Sequence, residues 1–151
     1  MKNILFIIGL ILLFGNLGIA QLPDKDFVIV GAGSADANLR QVQKRYEKKS
    51  DVYFIKETQV NPLKQIAKAL DGRTIRDLHI YLQTIPGTLV FNSVTVTTEN
   101  VNALKEPLLQ WKNFVSGRVV IHSLGVFTGP EGIELKNQLE KSSGLVFVMA
   151  R

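Results

Sequence analysis

Five short runs of branched and aromatic residues constrain this chain more than any other feature. They are Asp26–Gly31 (DFVIVG), Asp51–Lys56 (DVYFIK), Thr74–Leu82, Arg118–Ser123 (RVVIHS) and Leu145–Met149 (LVFVM). The first is an apolar, β-branched run ending in glycine, the pattern of a buried strand. Helical patterns separate the five runs. Leu39, Val42 and Tyr46 share a face of Ser34–Ser50. Leu63, Ile66, Ala67 and Leu70 do so after Asn61-Pro62, a side chain suited to capping followed by a first-turn proline, and Asp71-Gly72 ends that helix. Val101, Leu104, Leu108 and Trp111 mark the next helix, which Pro107 is expected to kink or restart, and Ile133–Ser142 forms the last.

Strand and helix alternating through short connections require right-handed crossovers in a parallel sheet. The expected fold class is therefore α/β, a three-layer sandwich whose mainly parallel sheet has five strands or slightly more. Thr88–Thr97 alternates around Asn92-Ser93 and reads as a small β-hairpin insertion. No internal repeat or low-complexity segment is visible.

The first residues carry an address. Lys2 precedes the uncharged run Ile4–Phe14, and Gly18-Ile19-Ala20 supplies small residues where a signal peptidase cuts. Residues 1–20 thus read as a signal peptide and 21–151 as one domain, exported to the periplasm or the extracellular space. An N-terminal membrane anchor is the alternative, weakened by Asn16, Gly9, Gly15 and Gly18. The chain has 18 Lys and Arg against 13 Asp and Glu, and among them only Lys2 lies in the leader, so the mature charge is +4. Arg40, Lys44, Arg45, Lys48 and Lys49 gather much of that excess. They read as a solvated helix face, with weak contact to an anionic surface through Arg40, Lys44 and Lys48 as the functional alternative. Nucleic acid is not an expected partner outside the cytoplasm. With no cysteine, disulfides and a lipoprotein anchor are excluded.

The carboxyl end of the third strand, Leu78–Leu89 (LHIYLQTIPGTL), is where such a sheet houses chemistry. The residue there is Gln83, an amide that cannot serve as a general base. Gly31-Ala32-Gly33 between the first strand and helix, with Glu57 after the second strand, resembles a dinucleotide fingerprint. Asp36 at its third position opposes that reading, because its charge repels a phosphate at the helix N-terminus. His122 and Ser123 are adjacent on a strand and point to opposite faces, so they are not expected to form a dyad. His79 lies about 13 Å before the strand end, too deep for a rim nucleophile, and reads as a hydrogen-bonded core histidine. Two distant histidines and no clustered carboxylates predict no metal site and no cofactor. Asp24, Asp26, Glu131 and Glu134 read as exposed charges or helix N-terminal acids.

The third and fourth strand ends resemble a bacterial domain of unknown function, often found near the N-terminus of very large secreted or surface adhesin-like proteins. That family is related in fold to the caspase and CHAT cysteine peptidases. Its members typically read Ile-His-Ile-x-Ser-His-Gly-x-Pro-Gly-x-Leu where this chain has Leu78-His79-Ile80-Tyr81-Leu82-Gln83-Thr84-Ile85-Pro86-Gly87-Thr88-Leu89. They read Tyr-Gly-Cys-Asn-Val-Ala, then two glycines, where this chain has His122-Ser123-Leu124-Gly125-Val126-Phe127, then Gly129 and Gly132. The resemblance covers about Asp26 to Ala150 and implies a caspase-like sheet. It also implies that Gln83 and Leu124 stand at the family's histidine and cysteine positions. A thiolate nucleophile needs a cysteine, so peptidase activity of the relatives' type is not expected.

The resulting expectation is a non-catalytic binding or interaction module at the bacterial envelope, engaging an envelope protein, peptide or polymer. Its candidate binding rim comprises Gln83, Thr84, Ile85, Leu124, Gly125 and Phe127. The alternatives are a residual hydrolase using Ser123 and a nucleotide-binding protein using Gly31 and Gly33.

Overall fold

A computed structural model describes residues 25–31, 41, 50–91 and 93–150 of the chain. The expected signal segment, the first helix with its basic cluster, and Gly33 and Asp36 lie outside the described residues, apart from isolated positions. The described chain is α/β. Five parallel strands, β1 (Lys25–Val30), β2 (Ser50–Phe54), β3 (Ile75–Tyr81), β7 (Arg118–His122) and β8 (Val146–Met149), form one sheet in the order β2-β1-β3-β7-β8. The direction of travel reverses between β1 and β3, the switch point of this kind of sheet.

Three helices connect the later strands: α1 (Pro62–Leu70), α2 (Lys105–Trp111) and α3 (Gly129–Ser143). From β2 onward every crossover advances the same way across the sheet, so a constant hand places these helices on one face. Their contacts agree, for α2 packs against both α1 and α3. Phe27, Ile29, Leu78, Ile80, Val119, Ile121 and Phe147 point into this face and bury against Leu63, Ile66, Leu108, Trp111, Leu135 and Leu139. Trp111 adds direction to that packing by donating its indole N–H to the Leu63 carbonyl at 3.2 Å. Asn61 caps α1 by accepting from the Leu63 amide at 2.8 Å. Gln65 is buried because its amide is fully used, accepting from the Lys56 N–H and donating to the Lys56 and Val60 carbonyls.

The opposite face obeys the same two-residue alternation with a different composition. Val28 and Val30 are buried there beside Val52, Phe54 and Tyr81, Val120 is buried beside His79, and Asp26, His79, Arg118 and His122 add polar and charged groups to the same face. A bulge interrupts the β1–β3 register. Lys25 pairs with Ile75 and Phe27 with Leu78, so Asp26 alone opposes both Arg76 and Asp77.

The expected hairpin is present and larger than the alternation suggested. β4 (Gln83–Ile85), β5 (Thr88–Phe91) and β6 (Val94–Val96) form a three-stranded antiparallel sheet in the order β4-β5-β6. Gln83 and Thr84 therefore open a separate short strand beyond the end of β3. Pro86-Gly87 is the turn between β4 and β5, with Gly87 at φ +72°. Two helix boundaries also move. Pro107 is the third residue of α2, which follows a 3-10 turn at Val101–Leu104, so its missing N–H falls among the first-turn donors that have no helical partner anyway. α3 starts at Gly129 rather than Ile133, because Pro130 is compatible with a first turn.

Candidate functional site

The residues read from sequence as a rim do converge. β3 continues through Leu82 into β4, and β7 continues into the loop Ser123–Thr128. The hydroxyls of Thr84 and Ser123 meet across these segments. The Gly87 amide donates to the Val126 carbonyl at 3.0 Å, tying the β4–β5 turn to the same loop. Thr128 closes the loop on itself by donating its hydroxyl to the Gly125 carbonyl at 2.6 Å. The Gly125 amide donates to Met149 Sδ at 3.3 Å. Val126 is fully buried and Gly132 packs beneath it, so closely that a Cβ there would lie 2.5 Å from the Val126 oxygen.

On this frame the outer side chains differ. Leu124 is 95% exposed, the most of any large apolar residue described, and Ile85 is 56% exposed. Gln83 is exposed and Thr84 half-buried. Phe127 is half-buried and packs against the core, so it offers the rim only part of its surface. The structure does not bring Ser123 to a histidine: its hydroxyl meets Thr84, whereas the His122 ring is engaged elsewhere. The Gly31 amide donates to the Tyr81 carbonyl at 2.8 Å, continuing the β1–β3 ladder rather than facing outward toward a phosphate.

A second group of polar side chains assembles on the face away from the helices. His79 Nδ1 and His122 Nε2 are 2.9 Å apart, within hydrogen-bond distance. The His122 ring stacks on Tyr81 with centroids 3.9 Å apart and planes within 9°. His79 Nε2 lies 3.6 Å from the Asp26 carboxylate. Arg76 pairs with Asp26 at 3.0 Å. Asp77 receives the Arg118 guanidinium at 3.2 Å and its backbone N–H at 3.1 Å. Asp26 is thus mostly buried and paired, which corrects its reading as an exposed charge. Asp26, Asp77 and His79 also gather within 4.8 Å of one another, so the expectation that no carboxylates cluster near a histidine does not hold.

A domain-of-unknown-function family, DUF4347, matches residues 28–150. The chain belongs to this family. No curated protein and no solved structure matches it.

In this DUF4347 chain the matched segment spans β1 to β8, so the rim and the histidine pair both lie within the domain. Their chemistry differs. The rim offers apolar area, an amide and hydroxyls, with no titrating group among Gln83, Thr84, Ile85, Leu124, Gly125 and Phe127. The second face concentrates titratable groups. Burial away from water holds the His79 imidazole below its ordinary value of 6.5, and Arg118 pushes the same way against the raising influence of Asp26 and Asp77. His79 is therefore a neutral imidazole at pH 7, with one N–H and one lone pair to place. Sequence reading missed this group because its members come from three strands. One signal was available: Asp77, His79 and Tyr81 recur every second residue and so must share a face of β3.

Proposed function

We propose that this DUF4347 chain is a non-catalytic binding module that works at the bacterial envelope after export, on a caspase-like scaffold lacking its nucleophile. The observation that carries the reading is Leu124, almost wholly solvent-exposed in the loop after β7, which the Thr84–Ser123 contact joins to the strand that carries exposed Ile85. A large apolar side chain held out by an anchored loop gains its free energy only when another surface covers it. Supporting the absence of peptidase chemistry, the chain has no cysteine to ionise, and Leu124 and Gln83 offer neither a nucleophile nor a base. The partner we infer is an envelope protein or peptide with a complementary apolar contact. Localisation rests on the Lys2 and Ile4–Phe14 leader pattern. Among the described residues no helix is long and apolar enough to cross a membrane.

Affinity capture from envelope extract tests the reading. Partners retained by the wild type should be lost from a Leu124→Asp, Ile85→Asp double variant that keeps its circular dichroism and melting temperature. An unchanged partner set would rule out the rim as the contact surface.

A further inference from the structure

We propose that Asp26, Asp77 and His79 form a divalent transition-metal site, with Zn²⁺ the best-matched ion and His122 its positioning residue. The site lies on the sheet face opposite the helices and is independent of the rim.

The spacing is the first argument. His79 Nε2 stands 3.6 Å from the nearer Asp26 oxygen, too far for a hydrogen bond. Two ligands on a tetrahedral zinc, each about 2.1 Å from the ion, stand about 3.4 Å apart. An ion between these atoms therefore needs adjustments of only a few tenths of an ångström. An Asp77 oxygen completes a set of three ligand atoms, all within 4.8 Å of one another; two donors about 2.1 Å from one ion stand at most about 4.2 Å apart, so the carboxylates draw together as the ion binds. The mixed imidazole and carboxylate donors suit zinc better than the hard cations, which take oxygen alone.

The fold supplies the second argument. The β-bulge sets Asp26 against two consecutive residues, Arg76 and Asp77, and so brings the Asp77 carboxylate to the level of Asp26. Irregularities of this kind re-aim side chains at sites. Close approach of Gly117 holds the bulge in place: its amide donates to the Arg76 carbonyl at 2.8 Å, and a Cβ there would lie 2.7 Å from that same oxygen.

His122 supplies the third. A metal-bound histidine ordinarily donates its other ring N–H to a neighbour that fixes the tautomer. His122 Nε2 is 2.9 Å from His79 Nδ1 and can accept that proton, which leaves the Nε2 lone pair directed toward Asp26. Tyr81 stacked on the His122 ring holds it in that orientation.

The two arginines are the competing cations. Arg76 pairs with Asp26 and Arg118 with Asp77, and their side chains are 63% and 56% exposed. Both reach in from solvent and can swing out, so they neutralise the carboxylates when the ion is gone and yield when it binds. This competition makes an opposite-sign prediction possible.

Calorimetric titration of the untagged, EDTA-stripped chain with Zn²⁺ alone provides the test. Wild type should bind one equivalent saturably. His79→Asn should weaken binding at least about tenfold, and Arg76→Ala should strengthen it several-fold, since Asp26 is then released. The His122→Asn variant should bind more weakly than wild type by a smaller factor than His79→Asn. A loss of folding in His79→Asn leaves the Arg76→Ala arm to decide, because a structural defect does not tighten an ion. Absence of saturable binding in wild type, wild-type affinity in His79→Asn, or weakened binding in Arg76→Ala would each overturn the site.

Discussion

The two faces of the parallel sheet follow one alternation rule and have opposite characters. Toward the helices, β1, β3, β7 and β8 present Phe27, Ile29, Leu78, Ile80, Val119, Ile121 and Phe147, all buried. Away from them, the same strands bury Val28, Val30 and Val120 but set Asp26, Asp77, His79, Tyr81 and His122 among them. An apolar face gains stability in proportion to the area it hides and tolerates conservative change. A polar face gains little net stability from each bond, yet an unmatched partner there is expensive. The first face therefore holds the domain together, and the second holds particular atoms at particular separations.

That contrast can be broken by experiment, and the largest effect should come from the apolar face. Trp111→Ala removes a 1% exposed ring and its bond to α1, and should destabilise by roughly 3–5 kcal/mol in urea unfolding. Gly117→Ala tests the bulge, because its new methyl collides with the Arg76 carbonyl and the Asp77 carboxylate. A loss of roughly 1–3 kcal/mol is expected, the usual cost of overpacking. Asp77→Ala strips the Arg118 backbone N–H of its acceptor and should cost about 1–3 kcal/mol. If it cost as much as Trp111→Ala, the assignment of stability to one face would fail.

A smaller effect should separate the faces by pH. The folded His79 imidazole lies below its ordinary value, so acid favours the unfolded chain, where the proton binds more readily. Its contribution is complete above about pH 7 and declines as pH falls below 6.5 toward the depressed folded value. Urea melts in EDTA between about pH 7.5 and 5.5 should show this decline, and His79→Gln should flatten it. Smallest of all is the rim. Leu124→Asp should leave stability within about 0.5 kcal/mol of wild type, since its side chain packs on nothing in the folded chain. A larger loss would mean that Leu124 belongs to the core economy after all.

The same contrast explains what could be read from the sequence. The five strands were legible because each is a short run rich in β-branched and aromatic residues between turn or helix signals, and α1 because Asn61-Pro62 and Asp71-Gly72 bracket its stripe. Strand β4 was not legible, since Gln83-Thr84-Ile85 acquires strand character only by pairing with β5. The start of α3 was obscured by Gly129 and Gly132, which look like turn residues. One of them is instead a close-packing position within the helix. The meeting of the Gln83–Gly87 segment with the Ser123–Thr128 loop was legible because both follow the ends of neighbouring strands. The Asp26, Asp77, His79 and His122 group was not, because a bulge and the β1-β3-β7 order bring it together, and neither is a local property of the chain.

The indole of Trp111 has an optical consequence. It is the chain's one tryptophan, enclosed between α1 and α2 and hydrogen-bonded to a carbonyl of α1. Its emission is therefore a single-site reporter of helix docking, and the sheet's distant surface is silent in that signal. Excitation of the indole follows one side of the domain as it loosens, and ring-proton resonances of the two histidines follow the other. One unlabelled sample can thus show whether the two sides come apart together or in turn.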